Sequence, residues 1–242
     1  MTREEFSNGF DTLLNSYSMS AGFGEEISRQ TIALDEYEKS LFLTQAEKDL
    51  VVSLYNGKNP YGESFESTEE MRRYLSNLVC ESTLYPITNT QGTPLGATTT
   101  SKFFTLPSDL WFITLESVKV SDGKCKDKSV MKVYPTKQDE FQNIKDNPFR
   151  GANDRRALRL DLSEGNVEIV SKYTVTEYYV RYVKNVSPII LEDLPEGLTI
   201  DTLSKATDCI LHEALHQKIL ESAVLLALRS KGYNINNANR DN

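Results

Sequence analysis

Histidine and cysteine are scarce in this chain of 242 residues, which contains two histidines and three cysteines. The cysteines, Cys80, Cys125 and Cys209, are odd in number and lie far apart along the sequence. A disulfide framework needs paired cysteines and an oxidising compartment. We therefore expect free thiols in a protein that works in a reducing compartment.

The sequence also lacks long apolar runs and any excess of basic charge. No stretch approaches the roughly 20 apolar residues that a membrane-spanning helix needs. The opening residues, Met-Thr-Arg-Glu-Glu, lack the basic-then-apolar order of a signal peptide. The formal net charge is −8, whereas phosphate backbones are bound by basic surfaces. The sequence therefore predicts no membrane partner and argues against nucleic acid as the main partner.

The common nucleotide and nucleophile motifs, GxxxxGK[ST], GxGxxG and GxSxG, are missing, but residues 212–216 read HEALH and fit the pattern HExxH. In a metallopeptidase helix, two such histidines bind zinc and the glutamate activates the bound water. A catalytic zinc needs a third protein ligand. The positions of the glycine and third histidine of the extended metzincin pattern hold Ile219 and Ser222, and only 26 residues follow His216.

We therefore interpret both histidines as residues on the polar side of an amphipathic helix. The sequence predicts no catalytic residue, no metal site and no cofactor. The alternative is a zinc metallopeptidase that uses His212, Glu213 and His216.

Three capping boxes, each a serine or threonine followed three residues later by glutamate, predict three helix starts in residues 1–88. They are Thr2 with Glu5, Thr44 with Glu47, and Ser67 with Glu70. Apolar residues at three- and four-residue spacing follow each box, as on the buried face of a helix. Residues 1–88 are therefore expected to form a helical part, whose third helix reaches Leu78.

Residues 89–200 read as a β-rich part that begins with a Thr- and Gly-rich loop at Asn89–Ser101. Alternating apolar and polar residues predict strands and one short helix. The strands are Leu110–Val120, Ser129–Tyr134, Ala157–Leu162, Val167–Tyr173 and Thr176–Lys184, and the helix is Gln138–Ile144. Turn signals between them favour mainly antiparallel pairing.

Residues 201–242 are predicted to form a long amphipathic helix from about Cys209 to Lys231, followed by a polar tail from Asn234. This helix is expected to pack back on the helical part. The predicted fold class is α+β: a helical bundle from the N-terminal helices plus the long C-terminal helix, with an inserted mainly antiparallel β-sheet or small β-sandwich.

Two local clusters carry weaker signals. Four arginines either meet an acidic neighbouring subunit or a phosphate, or form a solvated strand edge with local ion pairs; they are Arg150, Arg155, Arg156 and Arg159. Four tyrosines either form a stacking platform or belong to a core or an interface; they are Tyr173, Tyr178, Tyr179 and Tyr182.

Several segments together carry a resemblance to a known family. They are residues 32–57, Asn147 to Arg156, Val183 to Leu191, and the last helix with Cys209 and Ile219 to Val224. On these segments, the sequence resembles virion structural proteins of the crAss-like, short-tailed bacteriophages, and the resemblance as a whole extends over about two thirds of the chain. No single segment is a catalytic signature.

The resemblance implies a ring-forming, non-enzymatic subunit of the tail barrel or head-to-tail connector. Such subunits are repeated around a rotational axis, commonly twelve-fold, and line a channel for DNA and ejected proteins. The implied partners are further copies of the chain, neighbouring portal or tail ring proteins, and DNA that passes without sequence-specific binding. The implied location is the virion, after assembly in the host bacterial cytoplasm. An assembly chaperone or an internal cargo protein is a further alternative.

Overall fold

The computed structural model describes residues 1–20, 33–58, 68–87, 101–121 and 129–232, and it has an α+β architecture. The α-helices are α1 (Arg3–Ser20), α2 (Glu36–Asn56), α3 (Glu69–Tyr74), α4 (Gln138–Ile144) and α5 (His216–Ser230). Short 3₁₀ turns occupy Ser76–Leu78, Ser163–Gly165 and Glu213–Leu215. The strands are β1 (Val79–Leu84), β2 (Lys102–Thr105), β3 (Leu110–Ser121), β4 (Ser129–Pro135), β5 (Arg156–Asp161), β6 (Asn166–Val170) and β7 (Thr174–Lys184).

The chain divides into two compact units. A helical unit combines Met1–Asn77 with Val186–Asn242, and a sheet unit comprises Leu78–Asn185. The sequence analysis placed domain boundaries at residues 88/89 and 200/201, and these boundaries stay a prediction. Within the described ranges, no helix is both long and apolar enough to cross a membrane.

The predicted architecture, a helical bundle with an inserted sheet, is wrong, because the dominant element of the fold is one seven-stranded sheet. Its strand order is β1-β7-β3-β4-β5-β6-β2, with β4 and β5 parallel and the other described neighbours antiparallel. Two of the predicted helices are shorter than expected. The third stops at Tyr74, because the residues from Val79 onward pair as a strand with β7, and the last begins only at His216.

The sheet curls into a half-barrel. Four strands separate β7 from β2 in the hydrogen-bonded order, yet Phe104 of β2 packs edge-on against Tyr178 of β7, with ring centroids 5.3 Å apart. Near the end of β1, the backbone N–H of Ile87 donates to the carbonyl of Phe103 in β2 at 2.8 Å. The inner face therefore buries its own apolar core, which includes Val118, Met131, Val167 and Tyr178.

The outer face is covered by α4 only over β5 and β6. Phe141 of α4 packs with Leu158, Leu160 and Val170 in a separate apolar cluster. The helix predicted at Gln138–Ile144 is confirmed. It forms the crossover between the parallel strands β4 and β5, which cannot be joined by a tight turn.

An ion pair lies inside the half-barrel. The Nη1 of Arg159 donates to both carboxylate oxygens of Glu116 at 2.9 Å, and the Tyr178 hydroxyl donates to Glu116 Oε2 at 2.6 Å. The side chains of Arg159 and Glu116 are only 10% and 9% exposed. Arg159 lies two residues from the core residue Ala157 and therefore points to the same face of the strand. The interpretation of the arginine cluster as a solvated strand edge is therefore wrong for Arg159.

In the helical unit, α1 begins with the predicted capping box. The backbone N–H of Thr2 donates to Glu5 Oε2 at 2.7 Å, and the N–H of Glu5 donates to Thr2 Oγ1 at 3.2 Å. The box predicted at Thr44 and Glu47 is wrong, because both residues lie buried inside α2, whose cap is Asp35. The Asp35 carboxylate accepts from the N–H of Glu38 at 2.7 Å.

Several sequence predictions lie outside the described residues. They are most of the Asn89–Ser101 loop, the surroundings of Cys125, the first residue of the box at Ser67, and the polar tail from Asn234.

Candidate functional site

The HEALH segment does not form one turn of helix. His212 has an extended backbone (φ −62°, ψ 139°), and its Nδ1 accepts a hydrogen bond from the N–H of Ala214 at 3.2 Å. Glu213–Leu215 form a 3₁₀ turn, and α5 begins at His216. The two histidines therefore do not share a helical face four residues apart, which is the arrangement that the zinc alternative requires.

Both ring nitrogens of His216 are engaged. The side chain is buried, its Nε2–H donates to the carbonyl of Leu211 at 3.1 Å, and its Nδ1 accepts from the Met1 ammonium at 2.7 Å. Burial lowers the pKa of His216, which favours the neutral ring. A zinc ligand needs a free ring nitrogen, and His216 has none in this arrangement.

No group of three or more histidine, cysteine or acidic side chains able to hold a metal ion occurs within the described part of the chain. His212 is exposed and lies beside Tyr74, with ring centroids 5.9 Å apart. The structure thus places the residues of the motif in a capping role (His212) and a packing role (His216).

A buried acid that the sequence analysis missed lies in α2. Glu47 is fully buried; its Oε1 accepts from the Cys209 thiol at 3.3 Å, and its Oε2 has no hydrogen-bond partner among the described residues. Burial raises the pKa of Glu47 to about 8 and also raises the pKa of the Cys209 thiol. The direction of this shift disfavours the thiolate, whereas nucleophilic cysteines have a lowered pKa.

The face of α2 that carries Glu47 also holds the segment that follows β7. Thr44 Oγ1 accepts from the N–H of Ile189 at 3.1 Å, and Ser40 Oγ accepts from the N–H of Leu191 at 3.0 Å. These side chains replace the partners that a neighbouring strand would otherwise give to an extended backbone. Thr44 and Ser40 of α2 therefore hold the segment after β7 in place.

The four tyrosines divide between core and surface contacts. Tyr178 and Tyr182 are buried in the sheet core, whereas Tyr179 bonds to Glu177 and Tyr173 bonds to Asp154. They do not form a stacking platform. Of the arginines, Arg156 is half-buried, and Arg150 and Arg155 are exposed.

Exposed apolar side chains are the main surface feature of the sheet unit. Leu115, Val130 and Phe149 are 56%, 65% and 85% exposed. Leu115 and Val130 lie on the part of the sheet's outer face that α4 does not cover. These side chains are therefore accessible to a binding partner.

Comparison with known proteins gives the family. The model of the family described as phage tail ring protein 3/4 matches residues 1–239. The chain belongs to this family.

Two relatives in Bacteroides phage crAss001 agree with the assignment. "Ring protein 3" is 47% identical over 234 residues, which are 96% of this chain and 96% of the relative. "Ring protein 4/5" is 28% identical over 236 residues, which are 94% of this chain and 92% of the relative. The resemblance to crAss-like phage virion proteins is thereby confirmed. These matches support a structural phage ring protein, and they do not support a metallopeptidase.

Proposed function

We propose that copies of this chain assemble into a closed, non-enzymatic ring in the tail barrel or head-to-tail connector of a short-tailed phage. The observation that carries the proposal is the family match over residues 1–239, together with a relative named "Ring protein 3" that aligns along nearly its whole length.

The proposed symmetry is twelve-fold, as is common among the short-tail adaptors that the sequence resembles. Each subunit in a ring contacts its neighbours through two different surfaces, head to tail. The exposed apolar side chains of the sheet unit supply one surface for such contacts. Neighbouring portal or tail ring proteins are the proposed partners above and below the ring.

We further propose that DNA and ejected proteins pass through the ring without sequence-specific binding. The net charge of −8 supports this proposal, because an acidic channel does not hold its cargo. Assembly is proposed to take place in the host bacterial cytoplasm, where free thiols such as Cys80 and Cys209 are stable.

Cryo-electron microscopy of purified virions tests the proposal. The expected result is density for the chain in a ring of twelve copies around the tail axis. A ring with another copy number would overturn the symmetry. Absence of the chain from mature particles would overturn the function and would favour an assembly chaperone.

A further inference from the structure

Phe149 has the most exposed large apolar side chain in the described part of the sheet unit, at 85%. It lies in the loop between α4 and β5, in the sequence Asn147-Pro148-Phe149-Arg150-Gly151. Leaving a phenylalanine in water forgoes the free energy that its burial would provide. The Phe149 ring is therefore available to a partner.

The backbone of this loop is held firmly. Asn147 Oδ1 accepts from the N–H groups of Phe149 and Arg150 at 2.9 and 3.1 Å. The Nη1 of Arg156 donates to the carbonyls of the same two residues at 2.8 and 3.3 Å, and its guanidinium lies 4.5 Å above the Tyr134 ring. These contacts order the backbone from which the Phe149 side chain projects.

Gly151 completes the loop. A Cβ at this position would lie 2.7 Å from the backbone oxygens of Asn147 and Lys145, so a larger residue does not fit. A side chain on a pre-ordered backbone binds a partner with little further loss of conformational entropy. Phenylalanine and arginine are also among the residue types enriched at protein interfaces.

The charges of the two units favour a second copy of the chain as the partner. Residues 78–185 contain 15 lysines and arginines against 13 aspartates and glutamates, a formal net charge of +2. Residues 1–77 and 186–242 together contain 12 against 22, a formal net charge of −10. A chain with oppositely charged units is suited to contacts between copies, in which the basic unit of one meets the acidic unit of the next.

The helical unit offers a matching surface in residues 196–203. Leu198 and Leu203 are 39% and 41% exposed, and Glu196 is exposed beside them in sequence. The turn is held by a backbone bridge between Ile200 and Leu203 and by the ion pair of Asp201 with Lys48 at 2.6 Å. We call residues 196–203 the leucine turn.

We propose that the Phe149 loop of one subunit docks on the leucine turn of a second copy of the chain. Phe149 packs on the exposed leucines, and Arg150 faces the carboxylate of Glu196. The inference deepens the proposed ring by naming its subunit contact, and it rests on that proposal.

Photo-crosslinking maps this contact directly. The full chain with p-benzoylphenylalanine in place of Phe149 is mixed with ¹⁵N-labelled wild-type chain, irradiated and digested for mass spectrometry. The expected adducts join position 149 of one isotope to residues 196–203 of the other. Adducts within one chain, adducts elsewhere or no adducts would overturn the inference. The same label at Tyr85, which is 66% exposed in the same unit, is the control.

Self-association provides a second readout. Phe149→Ala should weaken the association measured by sedimentation velocity at least tenfold, because truncating a central aromatic contact commonly costs more than the ~1.4 kcal/mol that corresponds to a factor of ten. Thermal stability should not change, since the side chain is exposed. Tyr85→Ala should leave both properties unchanged. Unaltered association of Phe149→Ala would overturn the inference.

A charge swap separates specific contact from general attraction. Arg150→Glu should weaken association, and adding Glu196→Arg should restore it. Lys137→Glu makes the same change in net charge at a side chain that is 76% exposed, and it should have a small effect. A failed restoration, with rings still present in virions, would sink this contact and leave the proposed ring standing. Absence from virions would sink both.

Discussion

Glu47 should make the helical unit less stable as the pH rises. Its folded pKa of about 8 exceeds its ordinary value of 4.5, because burial disfavours the charged carboxylate. Between these two values the folded chain holds a proton that the unfolded chain has released. The free energy of unfolding therefore falls as the pH rises through this window.

The size of the effect follows from the two pKa values. Their difference corresponds to roughly 5 kcal/mol at pH values above the folded pKa, and to roughly 3 kcal/mol at pH 7. The substitution Glu47→Gln keeps the size and the acceptor for Cys209 but cannot ionise. The variant should match the wild type near pH 5 and should be more stable by several kcal/mol at pH 8.5.

Urea unfolding at a series of pH values provides the measurement. Circular dichroism at 222 nm reports on the helical unit, which holds four of the five described α-helices. The pH dependence of His216 has the opposite sign, because its pKa is lowered in the folded chain. Because both proteins contain His216, its contribution cancels when the unfolding free energy of the wild type is subtracted from that of the variant.

The matched control is Glu192→Gln, a change at an exposed glutamate in the same unit. Its stability should follow that of the wild type across the whole pH range. If the curves of Glu47→Gln and the wild type run parallel from pH 5 to 8.5, then burial does not shift the Glu47 carboxyl, and the reasoning is refuted.

Two further predictions concern buried polar contacts, and a third concerns zinc. Arg159→Leu should cost about 3–5 kcal/mol by leaving Glu116 buried without its partner; Trp111 fluorescence during urea unfolding measures the loss, and adding Glu116→Gln should recover part of it. Thr44→Val should cost about 1–3 kcal/mol by leaving the N–H of Ile189 unpaired, whereas an unchanged denaturation midpoint would contradict the contact. The purified chain should hold no stoichiometric zinc, and His216→Ala should not alter its metal content; zinc that is lost in this variant would revive the metallopeptidase alternative.

Five of the seven described strands, β3 to β7, and α4 could be predicted from the sequence because their signals are local. Alternation along Leu110–Ser121 and Thr174–Lys184 is visible in single segments, and both strands lie inside the sheet with one buried face. The capping box of Thr2 and Glu5 is equally local, since its two hydrogen bonds join residues three apart.

The failed predictions depend on contacts between distant parts of the chain. Thr44 fits a capping pattern, but its hydroxyl serves a segment 145 residues away. β1 and β2, the terminal strands of the sheet, are short and gain their order from β7 and β6. Arg159 lies in a basic run that suggested solvent, yet Glu116, 43 residues away, holds it inside the half-barrel.

The histidines and the Phe149 loop show why residue type alone misleads about function in this chain. The HEALH segment has the residues of a zinc site, but local hydrogen bonds fix His212 as a cap and His216 as a packed, neutral ring. The loop has no catalytic signature, but its hydrogen bonds order the backbone of Phe149, whose ring is exposed to solvent. Side chains whose polar atoms are satisfied internally are unavailable for binding. An assembly protein must therefore find its contacts where apolar surface stays unburied on an ordered backbone, and Phe149 meets both conditions.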